Sequence, residues 1–255
     1  MNIIGAAIVG VIGTIIGSFL NVCIWRIPRE ESVIFPPSHC PACSRPIRFF
    51  DNVPIISWLM LRGRCRDCGV PISPRYPLVE ALTSALAMLL YWKYGFSLQG
   101  ACAFLFTASL VVITFIDIDY QIIPDVISLP GIPLCFLAAV FVMGIPFLES
   151  LLGILVGGGL LYIIAVGYEW LTKREGMGGG DIKLLAMMGA FFGWKALFFI
   201  VLCSSLTGAV AGIAIMLLRG QGMKYAVPFG PFLAIGAVSY FFFGDLFLQY
   251  LFLTS

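Results

Sequence analysis

The chain has 255 residues, of which 60% are hydrophobic and only 11% are charged. Soluble domains usually carry about a quarter charged residues, and a mean hydropathy of +1.03 excludes a single soluble core of this size. The formal net charge of +2 is too small to support a nucleic-acid-binding role. The composition therefore predicts a protein whose solvent, and first partner, is the lipid bilayer.

Apolar segments near the length of a membrane helix follow one another along the chain. The sixth segment has only thirteen residues, which would rise about 20 Å as a helix, so we expect a short or partial span there. The sequence predicts an all-α polytopic membrane protein with about eight transmembrane helices. The segments are 3–24, 77–94, 101–116, 126–145, 148–171, 182–194, 196–218 and 227–253.

The basic residues are unevenly distributed. The polar segment 25–76 holds 8 of the 15 basic residues, so the positive-inside rule places it in the cytoplasm and the N-terminus outside. With eight spans, the loops 117–125 and 172–181 lie on the same cytoplasmic side. We therefore expect an inner-membrane protein with a first membrane helix (1–24), a small cytoplasmic domain (25–76) and a membrane domain (77–255).

Two cysteine pairs mark the cytoplasmic segment. They are Cys40-Pro-Ala-Cys43 and Cys65-Arg-Asp-Cys68, separated by 21 residues. Four thiolates at this spacing are typical of a tetrahedral structural Zn²⁺ site, which would staple a segment with little apolar core. Disulfide or redox pairs are the alternative, but a reducing compartment disfavours them. His39 is interpreted as a surface residue because four cysteines already complete the metal shell.

Carboxylates concentrate at the ends of two predicted membrane helices. Asp117 ends the third apolar segment, with Asp119 and Asp125 close behind it, and Asp181 opens the sixth. Ionisable residues at membrane depth are costly and therefore mark functional sites. Two carboxylates that approach each other cannot both ionise easily, so one keeps a proton and the other acts as a base, as in aspartic proteases. The spacing indicates such a dyad without choosing among the three clustered aspartates.

Three glycines, Gly178, Gly179 and Gly180, precede Asp181. Glycines let an extended peptide approach the backbone closely, so these three are candidate substrate-binding residues.

Structural alternatives remain open for the same acidic residues. Asp125 after Pro124 is first interpreted as a helix N-cap, Asp181 could cap the helix that follows it, and Asp119 could be solvated. A second class of function, in which the aspartates bind a cation or proton for transport, also fits.

In chain order, these motifs resemble the bacterial type IV prepilin peptidases, which are leader peptidases and N-methyltransferases of type IV pilus and type II secretion systems. The resemblance covers nearly the whole chain, and the motifs in this order are highly specific. They are Gly17-Ser-Phe-Leu-Asn-Val22, the two cysteine pairs, Arg75-Tyr-Pro-Leu-Val-Glu80, Ile116-Asp-Ile-Asp-Tyr-Gln-Ile-Ile-Pro-Asp125, Gly176-Met-Gly-Gly-Gly-Asp181-Ile-Lys-Leu-Leu-Ala186 and Pro228-Phe-Gly-Pro-Phe232.

The resemblance implies that the catalytic aspartates are Asp117 and Asp181. It implies a prepilin or pseudopilin substrate with a short basic leader, cleaved after a glycine on the cytoplasmic side. The new N-terminal residue is then methylated from S-adenosylmethionine.

Two further sets of residues are candidates for the methyl-transfer site and for contact with the leader. Candidates for the methyl-transfer site are Glu80, Gly63 and Arg64 by family position, and Asn21 at the inner end of the first helix; Glu80 could instead be a carboxylate favoured by the helix dipole. We also hypothesise that carboxylates at the membrane edge meet the basic leader. These are Asp119, Asp125 and Glu175.

Overall fold

The computed structural model describes residues 2–173, 178–219 and 228–252, and within these ranges the chain forms helices and no β-strand. The expected all-α class is therefore confirmed. The chain divides into two compact units, Met1–Val112 and Ile113–Ser255.

The N-terminal unit is built on two long helices, α1 (Ile3–Arg26) and α3 (Arg75–Tyr94), with the short helix α2 (Ile56–Met60) in the polar segment between them. Glycines on one face of α1 let α3 approach at backbone distance. A Cβ atom added to Gly13 would lie 2.7 Å from the Cα of Ser84, and one added to Gly17 would lie 2.7 Å from the Cα of Glu80. The glycine of the Gly17 motif is thus the point where Glu80 meets α1.

Helix α4 (Leu98–Tyr120) runs from the first unit into the second. The second unit then contains α5 (Asp125–Ala138), extended by a π-helical turn at Ala139–Met143, and α6 (Phe147–Thr172). It continues with α7 (Gly179–Phe192), α8 (Trp194–Arg219) and α9 (Gly230–Phe252).

Helix α7 is the centre of the second unit. It packs against α5, α6, α8 and α9, and every residue from Leu184 to Phe191 is buried. Gly189 of α7 meets Gly153 of α6 at backbone contact, with no room for a Cβ atom on either. An apolar segment with no polar face suits such a central position.

Six helices of the described residues are long and apolar enough to cross a membrane, so the protein is a multi-pass membrane protein. The predicted segments 77–94 and 182–194 also form helices, but neither is among the six. Helix α3 is less apolar than the others, and the 14 residues of α7 rise only about 21 Å. The six are Ile3–Arg29, Leu98–Tyr120, Asp125–Met143, Phe147–Leu171, Trp194–Leu218 and Gly230–Tyr250.

Candidate functional site

Asp117 lies in the last turn of α4, and only 5% of its surface is exposed. Its Oδ2 atom accepts a hydrogen bond of 2.9 Å from the backbone N–H of Gly230, the first residue of α9. A buried carboxylate needs such a donor, because an uncompensated charge away from water is strongly unfavourable. Asp117 is therefore held in place by an element more than a hundred residues further along the chain.

Asp181 is the third residue of α7, and its side chain is half-buried. Burial is the larger cause, and the negative charge of Asp117 the smaller cause, of a rise in the pKa of Asp181 to about 6. The two carboxyl groups are thus close enough for the charge on one to affect the protonation of the other. The helix begins after Gly178, which is its N-cap, so the alternative role of Asp181 as the capping residue is wrong.

The three glycines before Asp181 differ in their surroundings. A Cβ atom added to Gly180 would lie 2.8 Å from the Cβ of Ile123, in the connector between α4 and α5. Among the described residues, a Cβ atom added to Gly179 would meet nothing within 4 Å, and one added to Gly178 would lie 3.9 Å from Oδ2 of Asp181. Gly180 therefore fits α7 against the connector, whereas Gly178 and Gly179 are exposed beside Asp181.

The remaining acidic candidates are placed differently. The prediction that Asp125 is the N-cap of α5 is wrong. Pro124 is the N-cap, and Asp125 is already the first residue of the helix. Its carboxylate instead receives the Nζ of Lys183 at 2.7 and 2.9 Å, which joins α5 to α7. Asp119 is exposed in the last turn of α4, and Glu175 lies outside the described residues.

Gly230 is a site residue that the sequence analysis did not single out. The available signal was the motif Pro228-Phe-Gly-Pro-Phe232, whose family resemblance carried no chemical role. Only the fold brings this motif to Asp117.

The four paired cysteines form one cluster, as the spacing predicts. Their Sγ atoms all lie within 4.8 Å of one another, and those of Cys40 and Cys68 are 3.8 Å apart. Four sulfurs bound tetrahedrally to zinc at about 2.3 Å stand about 3.8 Å from one another, so the cluster can hold a metal ion. All eight cysteines of the chain are free thiols, and His39 is exposed and outside the cluster.

Each cysteine pair sits in a hairpin of the same construction. The pattern Cys-x-x-Cys-x-x-Pro-Ile occurs at 40–47 and again at 65–72. In the first hairpin the N–H of Cys40 donates to the carbonyl of Arg45 at 2.9 Å, and in the second the N–H of Cys65 donates to that of Val70 at 2.8 Å. Arg45 also pairs with Asp67 at 3.0 Å, which ties one hairpin to the other.

The two hairpins differ at the residue after the second cysteine, which is Ser44 in one and Gly69 in the other. Both have left-handed backbone geometry, with φ of 57° at Ser44 and 72° at Gly69. A non-glycine residue there costs about 1 kcal/mol. We expect Ser44→Gly to stabilise the cysteine domain by about 0.5 to 1 kcal/mol, measured as slower metal release to a competing chelator.

Gly69→Ala is the matched opposite change. A Cβ atom there meets nothing within 4 Å, so this variant tests backbone strain alone and should accelerate metal release. If both substitutions left release unchanged, the left-handed geometry would not limit the stability of the domain.

Glu80 occupies a second buried position, in the N-terminal unit. Only 6% of its surface is exposed, its Oε2 accepts the N–H of Ile55 at 2.7 Å, and it is hydrogen-bonded to the side chain of Ser18. Ile55 has φ 61° and ψ −52°, and the N–H of Ile56 bonds the carbonyl of Pro54 at 2.6 Å. This is a γ-turn, a strained geometry that persists where the surroundings impose it, commonly at functional sites.

The other residues of the predicted methyl-transfer set fall into two groups. Asn21 of α1 belongs with Glu80, because its Nδ2 donates to the carbonyl of Tyr76 at 3.1 Å, one turn before Glu80 in α3. Gly63, by contrast, is buried under Trp58, whose ring would lie 2.9 Å from an added Cβ atom, and Arg64 is exposed in the second hairpin. Helix α2 links the two groups, since Ile55 precedes it and Trp58 belongs to it.

Comparison with known proteins decides the family. Residues 11–94 match the bacterial peptidase A24 N-terminal domain, and residues 104–213 match the type IV leader peptidase family. A prepilin leader peptidase/N-methyltransferase of Pseudomonas putida is 37% identical over 257 residues, covering 92% of this chain and 89% of the relative. The chain belongs to the type IV leader peptidase family.

Two further prepilin leader peptidase/N-methyltransferases are similar to this chain. The protein from Aeromonas hydrophila is 40% identical over 90% of this chain and 88% of its own length. The one from Xanthomonas campestris is 37% identical over 92% of this chain and 90% of its own length. No solved structure gives a significant match. Membership in a peptidase family establishes that the protein is an enzyme, which the aspartate pattern alone left open against a carrier.

Proposed function

We propose that this enzyme removes the basic leader of type IV prepilins or pseudopilins after a glycine, at the cytoplasmic face of the inner membrane, and then methylates the new N-terminal residue. The observation that supports cleavage most directly is the electrostatic interaction between Asp117 of α4 and Asp181 of α7, with Asp117 buried and hydrogen-bonded and the pKa of Asp181 raised to about 6. The relatives, which are prepilin leader peptidase/N-methyltransferases, support the substrate and the second reaction.

In this mechanism one carboxyl group of the dyad is ionised and the other is protonated. The carboxylate takes a proton from water as the water oxygen attacks the scissile carbonyl. The carboxylic acid donates its hydrogen bond to the carbonyl oxygen and stabilises the charge that develops there. The amine then leaves with a proton from the dyad, so hydrolysis needs no metal and no nucleophilic side chain.

The surroundings of the dyad fit an extended peptide. Gly178 and Gly179 are exposed beside Asp181, so their backbone groups can pair with a substrate strand. Asp119 is exposed on the helix turn that bears Asp117, where it can meet a basic leader. Asp125, which is paired with Lys183, is a second candidate for that role.

Alanine substitutions at Gly179 and at Gly180 should have different effects on the kinetics of cleavage. We expect Gly179→Ala to raise KM several-fold with kcat nearly unchanged, because a methyl group there occupies substrate space. We expect Gly180→Ala to lower kcat on the order of tenfold to a hundredfold, because it displaces α7 from Ile123 and so moves Asp181. Steady-state cleavage of a prepilin-like peptide measures both; the opposite pattern would assign substrate contact to Gly180 instead.

The cysteine cluster is proposed to hold Zn²⁺ with all four positions filled by Cys40, Cys43, Cys65 and Cys68. Such a closed site leaves no position for substrate, so the metal is structural. Through Trp58 and α2, the second hairpin would support the Ile55 turn that binds Glu80.

Methyl transfer is proposed to take place at Glu80 and Asn21, next to a cavity of about 320 Å³ that includes Ser18, Arg26 and Pro54 in its wall. S-adenosylmethionine, when bound, supplies an electrophilic methyl group to the new N-terminal amine. The buried carboxylate of Glu80 can orient that amine and hold its proton. Gly63 and Arg64 would act at a distance, as parts of the second hairpin.

Glu80→Gln tests this assignment. Glutamine keeps an acceptor for the N–H of Ile55 but cannot hold a proton, so methylation should fall on the order of 10²-fold while cleavage is unchanged. Mass spectrometry of the released peptide measures both reactions. The control is Ser84→Ala, which removes a hydroxyl that donates to Gly10 in the same α1–α3 contact and should affect neither reaction. Equal loss of cleavage and methylation in Glu80→Gln would contradict the assignment.

The proposed topology has eight spans, with α3 and the short α7 crossing as well as the six longer helices. It rests on the concentration of basic residues in 25–76 and on the positive-inside rule.

Purified enzyme in nanodiscs with a synthetic peptide tests the function as a whole. A peptide with a basic leader, a glycine, a phenylalanine and an apolar segment should be cut after the glycine, and the product should gain one methyl group when S-adenosylmethionine is present. A peptide with a bulky residue in place of the glycine is the control. An enzyme that cuts neither peptide, or both equally, would contradict the proposed specificity.

A further inference from the structure

A backbone amide at the start of α9 is directed at Asp117 and not at a carbonyl of its own helix. In the first turn, the N–H groups of Phe232 and Leu233 both donate to the carbonyl of Phe229 at 3.1 Å. Pro231 has no N–H. The N–H of Gly230 instead donates to Oδ2 of Asp117 at 2.9 Å. The first amides of a helix lack intrahelical acceptors, and that of Gly230 is satisfied by a side chain from another helix.

Glycine is required at position 230 for steric reasons. A Cβ atom there would lie 2.7 Å from Oδ2 and 3.3 Å from Cγ of Asp117. Any larger residue would therefore push the carboxylate away from the amide. The Gly-Pro pair thus performs two tasks: Gly230 provides room for the carboxylate, and Pro231 removes the neighbouring amide that could compete for it.

We infer that Gly230 is a positioning residue for the peptidase reaction, whose backbone N–H orients Asp117 and holds its negative charge, so that Asp117 is the base of the dyad and Asp181 the acid. This rests on the proposed function. A donor N–H favours the ionised form of a carboxylate, and the N-terminal end of a 23-residue helix adds its positive dipole. Half-buried Asp181 is left to carry the shared proton.

Among the described residues, three other charged groups of α4 and α7 differ from the Gly230 amide in their relation to Asp117. Lys183 of α7 is paired with Asp125 of α5. Asp119 of α4 is an acid and is exposed. Asp181 can share a proton with Asp117 but adds negative charge when ionised.

A backbone ester separates the amide from the rest of the residue. Full-length enzyme in nanodiscs, with Gly230 replaced by its α-hydroxy acid counterpart through suppressor tRNA, loses the N–H without gaining a side chain. The ester also makes the carbonyl of Phe229 a weaker acceptor for Phe232 and Leu233, and an ester at Phe232, which removes one of these two bonds, is the control for that effect. We expect kcat for peptide cleavage to fall on the order of 10²-fold with KM within about threefold. The acidic limb of the kcat profile should move to higher pH, because the base then ionises less readily.

The control ester is at Phe232, whose N–H bonds Phe229 in the same turn and should leave kcat within about threefold of wild type. Gly230→Ala provides a second arm by ordinary mutagenesis and should show the same fall in kcat and the same pH shift. Its control is Gly236→Ala, where the added Cβ would lie 2.6 Å from the carbonyl oxygen of Ile200. That variant should lose thermal stability but keep the kcat and pH profile of the folded enzyme.

Wild-type kcat and pH profile in either Gly230 variant would overturn the inference. Asp117→Asn, measured in parallel, keeps the two questions distinct. If Asp117→Asn is inactive while the Gly230 variants behave as wild type, the dyad stands and the role of Gly230 is rejected. If Asp117→Asn cleaves normally, the proposed function fails, and the inference with it.

Discussion

Asp117→Asn is expected to reduce cleavage of a prepilin-like peptide on the order of 10³-fold, with the fold intact. Asparagine has the same shape, and its side-chain oxygen can still accept the N–H of Gly230, but it cannot take a proton from water. Loss of a general acid or base usually costs about 10²- to 10⁴-fold in rate. Single-turnover kinetics on the purified protein measures the effect on the chemical step without interference from product release.

Asp181→Asn should show a loss of similar size, because each carboxyl group works only with the other. The double variant should be little worse than either single one, as for groups that act as a unit. The matched control is Asp119→Asn, an exposed carboxylate in the same helix turn as Asp117. It should retain kcat and change KM only for substrates with a basic leader. Full cleavage by both Asp117→Asn and Asp181→Asn would eliminate the dyad.

The pH dependence follows from the pKa of Asp181, which burial and the negative charge of Asp117 raise from 3.8 to about 6. If the protonated form of Asp181 is the catalytic acid, activity should fall as pH rises through about 6. Asp117→Asn removes one of the two causes and should lower the pKa of Asp181. The carboxyl infrared band of Asp181, followed against pH, measures this shift.

Removal of the proposed zinc ion has the second large expected effect. The cysteine segment has little apolar core, so we expect chelation, or Cys65→Ser, to unfold it rather than to slow a chemical step. The reporters are amides whose hydrogen bonds close the hairpins, those of Cys40, Cys65 and Ile72. Hydrogen exchange should show loss of their protection in the metal-free protein.

Helices of the membrane domain provide the internal control for the zinc experiment. Buried amides in α7, such as that of Met188, should keep their protection. Methyl transfer should be lost with the hairpins, because the second hairpin supports Trp58 and α2, and the residue before α2 binds Glu80. Full protection of the hairpin amides after complete zinc removal would contradict a structural metal.

Local pattern was enough to predict much of this protein. Membrane helices are predictable from the length of their apolar segments. Segment 182–194 was therefore predicted to be a short or partial span. The cysteine cluster was predictable because C-x-x-C spacing alone brings two sulfurs together, and two such pairs complete a metal shell. Even the difference between Ser44 and Gly69 is a local matter of backbone geometry.

The sequence was not enough to predict the role of a residue whose partner is distant along the chain. Asp125 after Pro124 looks like a helix cap from its neighbours alone, yet its carboxylate pairs with Lys183, 58 residues away. Gly230 belonged to a recognisable motif without an assigned role, because its partner lies 113 residues earlier. Glu80 was a candidate by family position, but its bond to a strained turn at Ile55 had no sequence signal.

The two aspartates show the same division. The sequence by itself determined that charged residues stand at the ends of apolar helices, a placement too costly to be retained without use. Tertiary structure decided which of them interact: the first residue of α9 donates its N–H to Asp117 in the last turn of α4, and the charge of Asp117 affects Asp181 in the first turn of α7. It also decided how they differ: a backbone amide is directed at Asp117, whereas Asp181 is half-buried beside the charge of its partner.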